Sequence, residues 1–191
     1  MAVTVTDGTS PAAATPAASP TGDPWLLTPG PLTTSPSVKQ AMLHDYGSRD
    51  TGFIAVNARV RERLLAVAGA EGSHVCVPLQ GSGTFVVEAM VGNFVPKGGK
   101  LLILVNGAYG KRIAQICGYL GRNCMIHETP EDVPADPGAL ERALAADPAI
   151  SHVAAVHCET TSGILNPIEA IAEVTARHGR GLLIDAMSAF G

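Results

Sequence analysis

The sequence has 191 residues, 46% of them hydrophobic and 16% charged, with a formal net charge of −4; that suits one domain with a buried core. The charge excludes a basic face for nucleic acid and any electrostatic pull towards anionic lipid, and no apolar run reaches the length of a membrane span. Cys76, Cys117, Cys124 and Cys158 form no C-x-x-C pair, which argues against a metal site or disulfide framework and for reduced, mostly core thiols in a cytoplasmic protein.

Residues 1–23 are rich in Ala, Thr, Pro and Ser, without the basic and Leu-rich regions of a secretory signal, and are expected to form a disordered tail. The domain is expected over 24–191. Its first segment, 26–31, is turn-rich. Ser35 then caps a short helix through Leu43, with Pro36 at the first helical position. A second helix is expected over 53–67, with Arg59, Arg61, Glu62 and Arg63 on its wet side.

From Gly72 onward strand and helix alternate. Strands are predicted over 74–78, 101–105, 124–127, 152–157 and 182–184. Helices are predicted over 84–95, apolar nearly all round and so buried, and over 111–120, with Ile113, Ile116, Cys117 and Leu120 at helical spacing. Two more follow over 140–146 and 167–178, the latter with Ile168, Ile171, Ala172 and Thr175 on one face. The order predicts an α/β fold, a mostly parallel sheet with helices on both faces. His152 and His157 lie five apart on one predicted strand, hence on opposite faces, which argues against a shared metal.

In such a sheet ligands sit outside the carboxyl ends of the strands. The segments following the strands, at 81–84, 106–109, 159–161 and Asp185, therefore converge on one edge. Gln80-Gly81-Ser82-Gly83-Thr84 opens a helix with free N–H groups and two hydroxyls, a site suited to one phosphate, or else a plain turn. Val86 stands where a dinucleotide fingerprint needs glycine, Asn106 where it needs an acid near the second strand, and no Gly-Lys-Ser/Thr follows, so neither a dinucleotide site nor a P-loop fits. Asp185 ends a buried strand and needs a partner; a protonated pyridine nitrogen would serve, as would a capping or metal role. Tyr109 can stack on a flat ring or simply pack. Thr160 and Thr161 offer hydroxyls, and His157 and Glu159 share a face and can pair.

Five motifs stand in this order: 26–35 (LLTPGPLTTS), 80–85 (QGSGTF), 106–112 (NGAYGKR), 157–167 (HCETTSGILNP) and 185–191 (DAMSAFG). Together they resemble the class V, fold-type I pyridoxal-phosphate (PLP) aminotransferases. The 157–167 segment resembles the 2-aminoethylphosphonate–pyruvate transaminase family in particular, although Tyr46 and Arg49 stand where that family tends to have tryptophan. The resemblance implies part of a PLP-dependent transferase large domain. It implies amino transfer from 2-aminoethylphosphonate to pyruvate, giving phosphonoacetaldehyde and L-alanine, in a homodimer with its active site at the interface. On the matching motifs Ser82, Gly83 and Thr84 would hold the cofactor phosphate, Tyr109 would stack on the ring, Thr160 would bond the ring oxygen or orient Asp185, Asp185 would hold the pyridinium, and Gly30 would lie by the substrate. The lysine that forms the family's Schiff base follows the Asp motif, and here it is expected beyond Gly191; Lys39, Lys97, Lys100 and Lys111 match no such position. The 191-residue chain is thus expected to be inactive by itself and to leave strand edges uncovered. The alternatives are another class V aminotransferase, of alanine–glyoxylate or serine–pyruvate type, and a non-catalytic remnant that associates with a full-length subunit.

Overall fold

The computed structural model describes residues 19–191 except Pro29; most of the 1–23 tail thus lies outside the described residues. The chain divides into two units, residues 1–53 and 54–191. In the first, the Thr33 hydroxyl accepts from Leu26 N at 2.7 Å and donates to Pro24 O at 2.8 Å. Helix α1 (Pro36–Ala41) starts as expected: Ser35 Oγ accepts from Val38 N at 3.3 Å, and Pro36 enters the first turn.

Helix α2 (Thr51–Val67) buries none of its residues. The second unit continues with α3 (Gly83–Phe94), β1 (Lys100–Val105), α4 (Ala108–Tyr119), β2 (Asn123–Glu128), α5 (Pro137–Ala146) and β3 (Ile150–Val156). It ends with β4 (Cys158–Glu159), β5 (Ile164–Leu165), α6 (Ile168–Arg177) and β6 (Gly181–Asp185). No helix among the described residues is long and apolar enough to cross a membrane.

β2, β1, β3 and β6 lie side by side in that order, all parallel. Five consecutive apolar residues of β1, Leu101 to Val105, are all buried, because α-helices cover both faces of the sheet. One layer packs Val87, Val91 and Val95 with Ile113, Ile116 and Cys117 against Leu101, Ile103 and Val105. The other packs Leu140, Leu144, Ile171 and Val174 against Leu102, Leu104, Val153 and Ala155. Period-2 alternation along β1 thus feeds two separate cores, and the expected three-layer α/β/α architecture is observed.

Four expectations need correction. The 74–78 segment forms no strand. Val75 and Val77 are 80% and 69% exposed, and neither edge strand, β2 or β6, pairs with it; an alternating sequence makes a strand only where a neighbour supplies the ladder. Helix α3 is not buried all round: Val87 and Val91 face the core, while Phe85, Val86 and Phe94 are exposed. His157 lies beyond β3, in the step to a short antiparallel β4–β5 pair that alternation did not reveal, so the strand-face argument for His152 and His157 does not apply. The thiols are not mostly core: only Cys117 among the four is buried, and Cys124 is exposed.

Burial, with Cys124 nearby as a smaller cause, pushes the Cys117 thiol up to about 11. Against its ordinary value of 9.0, that lowers the thiolate fraction near pH 8 by about a hundredfold. Iodoacetamide at pH 8, read by peptide mass mapping, is expected to label Cys124 well before Cys117; equal rates would contradict this packing.

Candidate functional site

From β1 the chain moves outward to β2, then returns past β1 to β3 and on to β6. The two crossovers leave the β1–β3 gap in opposite directions, so a crevice opens at the carboxyl ends of these strands. Two turns meet there: 106–109 after β1 and 159–161 after β3.

Glu159 is the junction. It is fully buried. Its Oε2 accepts from Tyr109 N at 3.2 Å and Gly110 N at 3.4 Å. Its Oε1 accepts from the Thr161 hydroxyl at 2.8 Å and Thr161 N at 3.3 Å. Thr161 Oγ1 in turn accepts from Ala108 N at 3.3 Å. The first N–H groups of α4, which no helical carbonyl can reach, are thus satisfied within the protein. Gly107 makes the approach possible: a Cβ there would collide with the Glu159 side chain. Behind this junction the buried amides of Asn106 and Asn166 pair reciprocally, at 3.0 and 3.1 Å, and Asn166 also bonds Val156 O and Ala135 N. The expected His157–Glu159 pair is not formed, because the Glu159 carboxylate is turned into the α4 terminus.

Helix α3 presents the opposite case. Ser82 caps it, its Oγ accepting from Phe85 N at 3.3 Å, and Val86 N bonds Ser82 O at 3.1 Å. The N–H groups of Gly83 and Thr84 have no acceptor among the described residues. One helix N-terminus at this edge is therefore filled by the protein's own carboxylate, and the other has free donors.

The remaining groups close a circuit. Arg112 donates to Thr84 Oγ1 at 3.3 Å and lies 5.9 Å over the Tyr109 ring, a cation–π contact. Thr160 and Ser188 share a short hydroxyl–hydroxyl hydrogen bond. Asp185 Oδ1 accepts from Met187 N at 3.1 Å. A Cβ on Gly83 would stand 2.5 Å from Met187 Cε, so the 185–188 turn rests against the start of α3. The structure thus gathers Ser82, Gly83, Thr84, Tyr109, Thr160 and Asp185 on one edge. Gly30 lies exposed in the other unit.

Asp185 is partly exposed rather than buried, so desolvation does not by itself demand a cationic partner. No cation among the described residues lies within ion-pair distance of it, and its second oxygen is uncommitted. Sequence reasoning missed Arg112, Ser188 and the junction role of Glu159. Arg112 was signalled by its spacing of three from Tyr109 on α4, and Glu159 by a carboxylate three residues past the buried Val153–Val156 end of β3. A hollow of about 480 Å³, lined by Arg61, Glu62, Leu65, Glu71 and His74 among others, contains none of the expected residues; the converging strand ends, not this surface groove, carry the candidate chemistry.

Solved structures share this architecture. A pyridoxamine–pyruvate aminotransferase from Mesorhizobium loti superposes with a TM-score of 0.78 at 28% identity, covering 86% of this chain and 42% of that one. An alanine–glyoxylate aminotransferase from Nostoc sp. gives 0.78 at 31%, covering 86% and 43%. The fold is that of these aminotransferases, of which the chain carries a part.

In sequence the chain is similar to proteins named 2-aminoethylphosphonate–pyruvate transaminase, which bears out the resemblance read from its motifs. It is 61% identical to one from Pseudomonas aeruginosa over 168 residues, 88% of this chain and 45% of that protein. It is 58% identical to one from Polaromonas sp. over 174 residues, 90% and 46% respectively. The chain thus spans about half the length of the curated relatives it matches. No protein-family model matches the sequence.

Two glycines of the site should respond differently to a methyl group. At Gly83 the nearest atom is the end of a flexible methionine; at Gly107 it is the root of a buried, fully bonded carboxylate. Gly107→Ala is expected to destabilise the chain by about 1–3 kcal/mol and Gly83→Ala by less than about 1 kcal/mol, as read from urea midpoints. The reverse order would contradict the geometry.

Proposed function

We propose that this chain is the cofactor-holding part of a pyridoxal-phosphate-dependent transaminase that moves the amino group of 2-aminoethylphosphonate to pyruvate, yielding phosphonoacetaldehyde and L-alanine. The observation that carries the reading is the pairing of an open helix N-terminus at Gly83 and Thr84 with a free carboxylate oxygen of Asp185 on the same edge. The sequence similarity supports the choice of substrates: identity to the phosphonate transaminases is about twice that to the alanine–glyoxylate enzyme.

The donor set fits the cofactor. The N–H groups of Gly83 and Thr84, with the hydroxyls of Ser82 and Thr84, would hold a phosphate monoester, helped by the α3 dipole. The Arg112 guanidinium beside Thr84 adds positive charge there. Tyr109, half-buried, would stack on the ring. The unbonded oxygen of Asp185 would accept the pyridinium N–H, while Met187 N fixes the other oxygen. Thr160, coupled to Ser188, would bond the ring oxygen or steady the Asp185 turn. When bound, PLP supplies an electron-accepting ring that stabilises negative charge at the amine-bearing carbon, and Asp185 keeps that ring protonated.

Neither Lys100 nor Lys111 suits the covalent role. Lys100 begins β1, at the opposite edge of the sheet, and pairs with Asp147 at 2.7 Å. Lys111 is turned to Glu128 at the end of β2, 3.1 Å away, on the far side of β1 and β3 from Asp185; its hydrogen bond to Glu128 raises its pKa. We propose further that residues 24–191 form a domain preceded by a tail over 1–23, that Gly30 lies near the substrate, and that the protein is a cytoplasmic homodimer acting on small molecules.

The test uses the 191-residue chain and pyridoxamine 5′-phosphate, which has no aldehyde to label stray lysines. Calorimetry is expected to show one site per chain, with Asp185→Ala and the double variant Ser82→Ala/Thr84→Ala each weakening binding by about 10–100-fold. The chain alone is expected to form no L-alanine from 2-aminoethylphosphonate and pyruvate. Binding indifferent to Asp185, or clear turnover, would contradict the reading.

A further inference from the structure

Glu159 has no ligand-binding part in the arrangement above, yet it is the one fully buried carboxylate among the described residues. A buried carboxylate is unfavourable unless compensated. Compensation here involves no cation: no Lys, Arg or His among the described residues pairs with it. Its donors are the amides of Tyr109, Gly110 and Thr161 and the Thr161 hydroxyl, reinforced by the positive end of α4. The protein has placed an internal anion where a helix N-terminus would otherwise receive one from solution.

We infer that Glu159 is a positioning residue: as a built-in anion it closes the α4 N-terminus, fixes the backbone that aims Tyr109, and leaves the α3 terminus to take the phosphate. The aiming of Tyr109 at a ring rests on the cofactor reading above; the clamping of the α4 terminus does not. Two features set this apart from ordinary capping. The amides it holds belong to Tyr109 and its neighbour, not to residues remote from the edge. Its other partner, Thr161, adjoins Thr160, whose hydroxyl reaches Ser188 in the Asp185 turn. One carboxylate thus bonds the backbone of Tyr109, which would meet the face of a flat ligand, and of Thr161, the neighbour of Thr160. Gln at 159 keeps the size but offers one acceptor oxygen, and sets N–H donors against N–H donors.

The test compares the ¹⁵N-labelled chain with its Glu159→Gln variant. Without ligand, amide exchange at Tyr109 and Gly110 is expected to accelerate by about tenfold or more relative to Leu102 and Ile103; unchanged protection would overturn the inference. On titration with pyridoxamine 5′-phosphate, the ³¹P signal is expected to keep an affinity within about threefold, while the ring-current shift on the ligand's aromatic proton falls by about half. A purely structural role would lower both signals together, and that result would also overturn the inference. If Glu159→Gln fails to fold, Thr161→Val removes a donor to Glu159 and the acceptor of Ala108 N; the same two amides should exchange faster, and unaltered exchange would overturn the inference. If the unaltered chain shows no ligand response at Gly83 and Thr84, the cofactor reading fails, while the ligand-free exchange still decides the role of Glu159.

Discussion

A single buried carboxylate organises the functional edge of this protein. Helix α4 begins after β1, and the start of α3, which follows no strand, lies at the same edge; every such helix start has N–H groups that its own carbonyls cannot reach and a positive dipole end. Without Glu159 the amides of Tyr109 and Gly110 at the α4 terminus would lose their acceptor. With it, the α4 end is closed and the α3 end stays open, and on the proposed reading a bound phosphate is directed to α3. Gly107 is part of the same device, since its missing side chain is the space that Glu159 fills.

The sheet order explains why this device sits where it does. Reversal of the crossover direction at β1 and β3 opens the crevice into which both turns project. The Asn106–Asn166 pair spans the base of the crevice with every buried amide group bonded, so the two turns are held to each other as well as to their strands. Around this well-packed centre, other apolar surface is open: Val75, Val77, Phe85, Phe94 and Ile184 are all exposed. That pattern accords with a chain that spans about half the length of its curated relatives.

Much of this was legible in the sequence because parallel strands buried on both faces read as continuous apolar runs, and because ligands of such sheets collect at one predictable edge. Residues 109, 160 and 185 could be gathered on that basis before any coordinates, whereas 82–84 were placed at the edge by a strand over 74–78 that does not form. Three things were not legible, each for a physical reason. The 74–78 run has strand character, but pairing is a property of its neighbour. The apolar surface of α3 indicates something to be covered without showing what covers it. Glu159 in sequence is a charge between Cys158 and Thr160; only the register of β3 and the turn after it bring its carboxylate against an amide cluster fifty residues earlier. Local pattern specifies elements, whereas long-range side-chain geometry specifies the site.

On the proposed reading, of the two helix ends at this edge, α3 accepts a phosphate and α4 does not. Inorganic phosphate titrated into the ¹⁵N-labelled chain and followed by amide chemical shifts addresses it directly. Saturable movement of Gly83 and Thr84 is expected, with Tyr109 and Gly110 unmoved. Movement of Tyr109 and Gly110 with Gly83 and Thr84 silent would contradict it.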